Sequence, residues 1–282
     1  MKIFVLTKKN LLIAAAVIVV IILAAVLAII GGNGDKPAEV MATPEPDSPT
    51  SGMQDVDSYE VAVFAGLMKE LPVYSVSRDD KKIALTVDAA WADDKTDFIL
   101  STLDKYGIKA TFFLCGFWAE EYPEKVKAID AAGHQIGNHS ATHPHMNKLN
   151  SEQILNELKK YDDLIESIIG KRSTIFRAPY GEYNDNVVKT VRSAGYEVIQ
   201  WDVDTIDWKE ERSAETILNW VLPKIQPGSI ILCHNNGFKI EQYLPTLIET
   251  ALSDGYEFVT IDELLLDGNT IIDVNGVQKP AD

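Results

Sequence analysis

From Pro72 onward the chain alternates two kinds of hydrophobic pattern. Runs that are apolar at nearly every position, "KKIALTVDA" (81–89), "KATFFLCG" (109–116) and "GSIILCHNN" (228–236), read as buried strands. "HQIGNHS" (134–140), "STIFRAPYG" (173–181), "EVIQWDVD" (197–204) and "EFVTI" (257–261) read as further strands. Between them apolar residues recur every three or four positions over 93–107, 123–133, 150–170, 184–195, 214–225 and 241–255, the spacing of amphipathic helices. Asn150 or Ser151 caps the longest of these, with a glutamate in its first turn, and a glycine closes several others. Strand and helix in regular succession predict an α/β domain with a parallel sheet covered by helices, open or closed into a barrel. In either form the ligand site lies at the C-terminal ends of the strands.

The N-terminal part breaks this pattern. Residues 11–30, "LLIAAAVIVVIILAAVLAII", are twenty apolar residues in a row, the length that crosses a bilayer core. Lys2, Lys8 and Lys9 precede the span and the first charge after it is Asp35, so residues 1–10 are expected in the cytoplasm and the rest outside. Signal peptides carry a shorter apolar region and a small-x-small cleavage site, and no A-x-A lies near residue 30. The sequence therefore predicts a single-pass membrane protein with an uncleaved anchor. Residues 31–58 hold four of the twelve prolines, six acids and no aromatic residue, a tether that cannot build a core. The linker extends to residue 71, with a short amphipathic helix expected at 59–71. The domain then occupies 72–270, and 271–282 is read as a tail.

Composition narrows the partners. Acids outnumber bases 42 to 26, a net charge of -16, which argues against nucleic acid and favours neutral or cationic substrates; the protein is expected to be a monomer. Two cysteines are too few for a disulfide scaffold or a thiolate zinc site.

Four of the five histidines fall between His134 and His145, a density that raises the question of a metal. Reading the residue after each strand in turn gives Asp88, Cys115, His139 with His143, Arg177, Asp204 with Asp207, and His234. Acids, imidazoles and a guanidinium thus gather where a parallel sheet builds its site. His139 and His143 are four apart, the spacing of one helical turn, although Pro144 disfavours a continuous helix there. Two imidazoles make half of a metal site; an isolated pair serves equally as exposed loop histidines. A carboxylate at the end of "IALTV" needs a cation beside it, or acts as a cap for the next helix. Arg177 is that cation or a solvated rim residue. Asp204 reads as a loop cap, His145 as loop, and His134, at the start of its strand, as structural.

"TVDAAW", "HSATH", "RAPYG", "DTIDW" and "LCH", in this order between Lys81 and Leu265, resemble the five motifs of the NodB-type polysaccharide deacetylases, family four of the carbohydrate esterases. The "DAAW" and "HNN" forms are similar to the clostridial and sporulation-associated branch. The resemblance implies an irregular (β/α) barrel and hydrolysis of N-acetyl groups on an N-acetylated glycan such as peptidoglycan or a chitin-like chain. It also implies a divalent metal, zinc or alternatively cobalt, on His139 and His143. It makes Asp88 the general base, Arg177 its partner, and His234 the acid oriented by Asp207. Pro179 and Tyr180 then form the groove, with the Tyr180 backbone N–H toward the oxyanion, and Trp208 and Leu232 wall the acetyl methyl.

One position departs from the family pattern. A second aspartate commonly follows the first and completes the metal site; here it is Ala89. Either another carboxylate such as Asp93 substitutes, or the protein is a weak or idle glycan-binding homologue. An aspartate restored at residue 89 is expected to find room facing the pocket, and Asp88 and His234 to be dispensable for the fold. Cys115 and Cys233 should end strands on either side of the Asp88 strand, too far apart for a disulfide.

Overall fold

The computed structural model of the protein describes residues 70–281. The apolar span at 11–30, the short helix expected at 59–71 and nearly all of the linker lie outside the described residues. Among the described residues no helix is long and apolar enough to cross a membrane.

The elements follow in the order β1 (Ser75–Val76), β2 (Lys82–Ala89), α1 (Thr96–Tyr106), β3 (Thr111–Leu114), α2 (Gly116–Glu121), α3 (Pro123–Ala131), β4 (Gln135–Asn138) and α4 (Ser151–Ile169). Then come β5 (Ile175–Phe176), α5 (Asp185–Ser193), β6 (Glu197–Val198), β7 (Val203–Asp204), α6 (Ala214–Val221) and β8 (Ile230–His234). The chain ends with α7 (Ile240–Ser253), β9 (Glu257–Phe258), α8 (Ile261–Leu264), β10 (Thr270–Ile272) and β11 (Val277–Pro280). The main sheet runs β6-β5-β4-β3-β2-β8-β7 with β9 attached to β2, and every pairing in it is parallel. Its edge strands β6 and β7 are close in sequence yet do not pair, so the sheet is a curled half-barrel rather than a closed one.

The side-chain period of a strand sorts the core. Ile83, Leu85 and Val87 of β2 join Phe112 and Leu114 of β3 in an apolar layer beneath the helices, with Ile99, Trp118, Tyr243 and Leu247. Ala84, Phe113 and Ile230 belong to a second cluster on the opposite, concave face. Thr86 and Asp88 therefore fall on the concave face, one strand residue apart. A third cluster seats α4 and α5. Helix α4 starts as its sequence predicts: the Asn150 side chain accepts from Gln153 N–H, and Gln153 returns a bond to Asn150 N–H, a pairing worth ~1 kcal/mol.

Four expectations need correction. The strand read over 197–204 is two short strands, because between them the Gln200 carbonyl turns toward Arg177 and its side-chain amide donates to Gly181 O at 2.8 Å. The strand read over 173–181 ends at Phe176, and Pro179, lacking an N–H, opens a single 3-10 turn over Pro179–Gly181. Helix α2 was not visible in the periodicity because it is only six residues long. The tail at 271–282 is instead a hairpin, β10 antiparallel to β11, and β11 pairs in parallel with β1. Its turn carries Asn275-Gly276, with Gly276 at φ 75°, a hairpin signal the sequence did contain.

Candidate active site

Asp88 and His234 are register partners on the adjacent strands β2 and β8, so one pleat presents both side chains side by side on the concave face. Asp88 is buried, and its Oδ1 accepts from Arg177 Nη1 at 2.7 Å. Arg177 is 0 % exposed. The same Nη1 donates to Thr86 Oγ1 at 2.9 Å and Nη2 to the Gln200 carbonyl at 3.1 Å. The guanidinium also lies over the Phe113 ring, 4.1 Å from its centroid. Burial pushes the Asp88 carboxyl up, but Arg177, then His139 and His234, outweigh it and hold it below the usual carboxylate range. Of the two alternatives for Arg177 it is thus the carboxylate partner, and Asp88 is in turn the counter-charge of a fully buried guanidinium.

His139 and His143 meet without a helix. The loop after β4 is locked by Asn138 Oδ1, which accepts from Ser140 N–H, by Ser140 Oγ, which accepts from His143 N–H, and by the Glu157 carboxylate, which accepts from Thr142 N–H at 2.8 Å. His143 itself sits at φ 56°, a left-handed conformation that costs a non-glycine residue energy and brings its ring within 4.9 Å of the His139 ring. A carbonyl can only accept, so the bond from His139 Nδ1 to Arg177 O at 2.9 Å puts the proton on Nδ1. His139 Nε2 is then a free lone pair, 3.7 Å from Asp88 Oδ2. His143 Nδ1 is buried with no partner. Burial keeps both rings below the usual imidazole pKa, His143 at about 3, and so neutral.

Two neutral imidazoles with their ring centroids 4.9 Å apart, each with an unpartnered nitrogen, supply donors of the kind a divalent cation takes. The third position does not fit. Ala89 is 1 % exposed and packs in one apolar cluster with Ala90, Cys115, Trp118 and Ala141, so the open space expected there is filled. Asp93, the candidate substitute, is held by Lys125, Nζ to Oδ2 at 3.7 Å. Among the described residues no three histidine, cysteine, aspartate or glutamate side chains form a metal-binding group.

On the other side of Asp88, His234 Nδ1 bonds Asp207 Oδ1 at 2.7 Å. Asp207 Oδ2 accepts from the His234 backbone N–H at 3.1 Å and from Tyr243 Oη at 2.7 Å, so the carboxylate is saturated and fully buried. Gly237 allows this closure, since a Cβ there would lie 2.1 Å from Asp207 Oδ2. Burial alone would lower the His234 pKa; the charge and hydrogen bond of Asp207, aided by Asp88 and Asp204, raise it to about 9. Asp204 caps its own turn, Oδ1 accepting from Ile206 N–H at 2.7 Å.

Around this centre Leu232 is buried beside Thr86 in register, and Trp208 is half-buried directly after Asp207. Tyr180, at φ 59° in the 3-10 turn, exposes 44 % of its surface and lays its ring against His143, 4.5 Å between centroids. His145 stacks on Tyr180 and bonds Glu182. His134 is structural as expected, accepting from Ala110 N–H at the far end of β4. Cys115, directly after β3, and Cys233, in β8, are free, buried thiols at the strands flanking β2. Sequence reasoning missed Tyr243, Gln200 and Trp91. Thr86, the lone polar residue in "IALTV" before Asp88, was a readable signal.

Residues 75–199 match the family model described as polysaccharide deacetylase. A peptidoglycan-N-acetylglucosamine deacetylase of Bacillus cereus is 35% identical over 205 residues, 71% of this chain and 74% of that protein. The peptidoglycan-N-acetylglucosamine deacetylase PgdA of Listeria monocytogenes is 33% identical over 81% of this chain; the match spans 48% of PgdA, so the chain covers about half of that relative. Among solved structures, a family-four pseudoenzyme from Bacillus anthracis is 36% identical, with a TM-score of 0.66 over 68% of each chain. A mutant of that pseudoenzyme with restored enzymatic activity has a TM-score of 0.65 at 37% identity.

Proposed function

Because the chain belongs to the polysaccharide deacetylase family, we propose that it hydrolyses N-acetyl groups on a cell-wall glycan, peptidoglycan or a chitin-like chain, and releases acetate. One observation carries this reading: a carboxylate held ionised by Arg177 and an imidazole held protonated by Asp207 stand on adjacent strands in register. Acid and base of opposite polarity, side by side at neutral pH, are what amide hydrolysis requires.

Asp88 takes a proton from the attacking water as its oxygen bonds to the acetamide carbonyl carbon. The Tyr180 backbone N–H donates to the resulting oxyanion, a contribution of ~3–4 kcal/mol for one well-placed donor. His234 Nε2 then delivers its proton to the sugar nitrogen as the C–N bond breaks, leaving a free amine and acetate. Leu232 and Trp208 line the acetyl methyl. His139 and His143 would hold a divalent cation, zinc or cobalt, which would supply Lewis acidity to the reaction. The apolar span at 11–30 anchors the protein in the membrane and holds the domain outside the cytoplasm; a reporter fused after Asp282 that is active only in the cytoplasm would contradict this.

The deciding experiment is acetate release from N-acetylglucosamine oligomers with added Zn²⁺, with Co²⁺ and with chelator. Turnover with either metal and its loss in chelator are expected. A second reading, an idle glycan-binding homologue, is favoured by the filled Ala89 position and by the likeness to the Bacillus anthracis pseudoenzyme. It would hold if no metal elicits acetate while the oligomer still binds. Ala89→Asp is expected to cost about 1–3 kcal/mol of stability in chelator, because a carboxylate is then buried in an apolar layer. Zn²⁺ is expected not to restore that loss, because the carboxylate enters the apolar layer rather than the space beside the two imidazoles. Equal unfolding midpoints for variant and parent in chelator would show the position is not closed.

A further inference from the structure

The backbone around Tyr180 is strained. Tyr180, at φ 59°, and Gly181, at φ 67°, are consecutive left-handed residues, a conformation that costs a tyrosine energy. Two hydrogen bonds hold the turn from within, Gly181 N–H to Ala178 O at 3.0 Å and Glu182 N–H to Pro179 O at 3.1 Å. A third comes from outside it. Gln200 Nε2 donates to Gly181 O at 2.8 Å from 19 positions further along the chain. Gln200 is anchored independently of that turn: its backbone N–H donates to Val73 O at 2.7 Å, and its carbonyl accepts from Arg177 Nη2 at 3.1 Å. Its neighbour Trp201 fills the same gap, since a Cβ on Gly181 would lie 2.9 Å from the indole Cη2. The Trp201 ring also lies 5.4 Å from the Arg177 guanidinium. Gln200 and Trp201 therefore bridge the guanidinium that holds Asp88 and the turn that carries the Tyr180 N–H.

Packing does not explain a glutamine here. The residue is 2 % exposed, and its Oε1 is buried without a hydrogen-bond partner among the described residues. A stranded amide oxygen costs about 1–3 kcal/mol, so an apolar side chain of the same size would suit the packing better. What glutamine supplies is the N–H aimed at Gly181 O; a carbonyl can only accept, which fixes the nitrogen on that side. We propose that Gln200 is a positioning residue whose side-chain amide fixes the Pro179–Gly181 turn, so that the Tyr180 N–H keeps its aim at the oxyanion. A misplacement of ~1 Å in such a donor costs up to roughly 100-fold in rate, and the loss falls on the transition state rather than on substrate binding.

The kinetic consequence rests on the deacetylase reading, whereas the hold on the turn is read in the free protein. Gln200→Met keeps length and bulk without the donor; Gln200→Asn keeps the amide on a side chain too short to reach Gly181 O. On the full chain, three properties are measured together: acetate release from the N-acetylglucosamine tetramer with added Zn²⁺, hydrogen–deuterium exchange of peptides containing Gly181 and Glu182, and denaturant midpoints. Both variants are expected to lose about 10- to 100-fold in kcat with KM within about twofold of the parent. Both should exchange the two turn amides about tenfold faster. Gln200→Met is expected to keep the parental midpoint, because it removes the stranded oxygen. The alkaline limb of kcat/KM should stay near 9, because the Gln200 side chain does not bond His234 or Asp207. A residue that only packed would instead lose stability and leave kcat alone. Parental kcat in both variants, a KM effect in place of a kcat effect, or unchanged exchange at the turn would each overturn the positioning role. If the parent releases no acetate, the deacetylase reading fails, and exchange at the turn alone decides for or against Gln200.

Discussion

Asp88→Asn is expected to lower kcat for acetate release by about 10²- to 10⁴-fold, the usual worth of a positioned general base. The amide keeps the shape of the side chain and can still accept from Arg177, but it cannot take a proton from water. The variant is not structurally silent. Arg177 is 0 % exposed, and its charge is compensated at 2.7 Å by Asp88; the Thr86 hydroxyl and the Gln200 carbonyl are neutral partners. Removing one member of a buried pair costs about 3–5 kcal/mol, and retention of the hydrogen bond places asparagine near the lower end. Denaturant midpoints measure this loss beside the kinetics. Adding Arg177→Met should recover stability, because an apolar side chain of similar length no longer strands a charge, while activity stays absent. Near-parental kcat in Asp88→Asn would remove Asp88 from the role of base.

His234 is expected to be as costly to lose, about 10²- to 10⁴-fold in kcat on substitution by alanine, and its partner Asp207 makes a sharper test. The imidazolium is the working form, and its pKa of about 9 predicts that kcat/KM falls as pH rises through 9. Asp207→Asn withdraws the carboxylate that overcomes burial, so the alkaline limb should move down toward the ordinary imidazole value of ~6.5. At pH 8 that shift leaves roughly 30-fold less imidazolium, a loss that more acidic buffer restores. Because the folded-state pKa of His234 is raised, its contribution to stability is complete below ~6.5 and is lost as pH climbs through about 9. An Asp207→Asn profile whose alkaline limb stays near 9 would mean another group supplies the proton.

The strands and helices that carry the site were legible because their signals are local. β2, β3 and β8 are dense apolar runs, α1 and α4 show a clean period of three to four with caps at their ends, and chemistry-bearing residues stop each strand. The order of five motifs was enough to place the family and to single out Asp88, His139, His143, Arg177, Asp207 and His234 as its candidate site residues. Other features depend on contacts between distant parts of the chain, which leave no periodic trace. Register puts Asp88 beside His234 across 146 positions of sequence, and the curl of the sheet brings Arg177 beneath them. Tyr243 reaches Asp207 from a helix 36 residues later. Pro144 already argued against a helix at His139 and His143, but only the folded chain shows how the rings converge, through a left-handed residue and a loop pinned by Glu157. Ala89 shows the same division most plainly. Its identity, read from the chain, announced a missing ligand; that the vacated position is packed shut is a property of Cys115, Trp118 and Ala141, which only the folded chain brings into one apolar cluster with it.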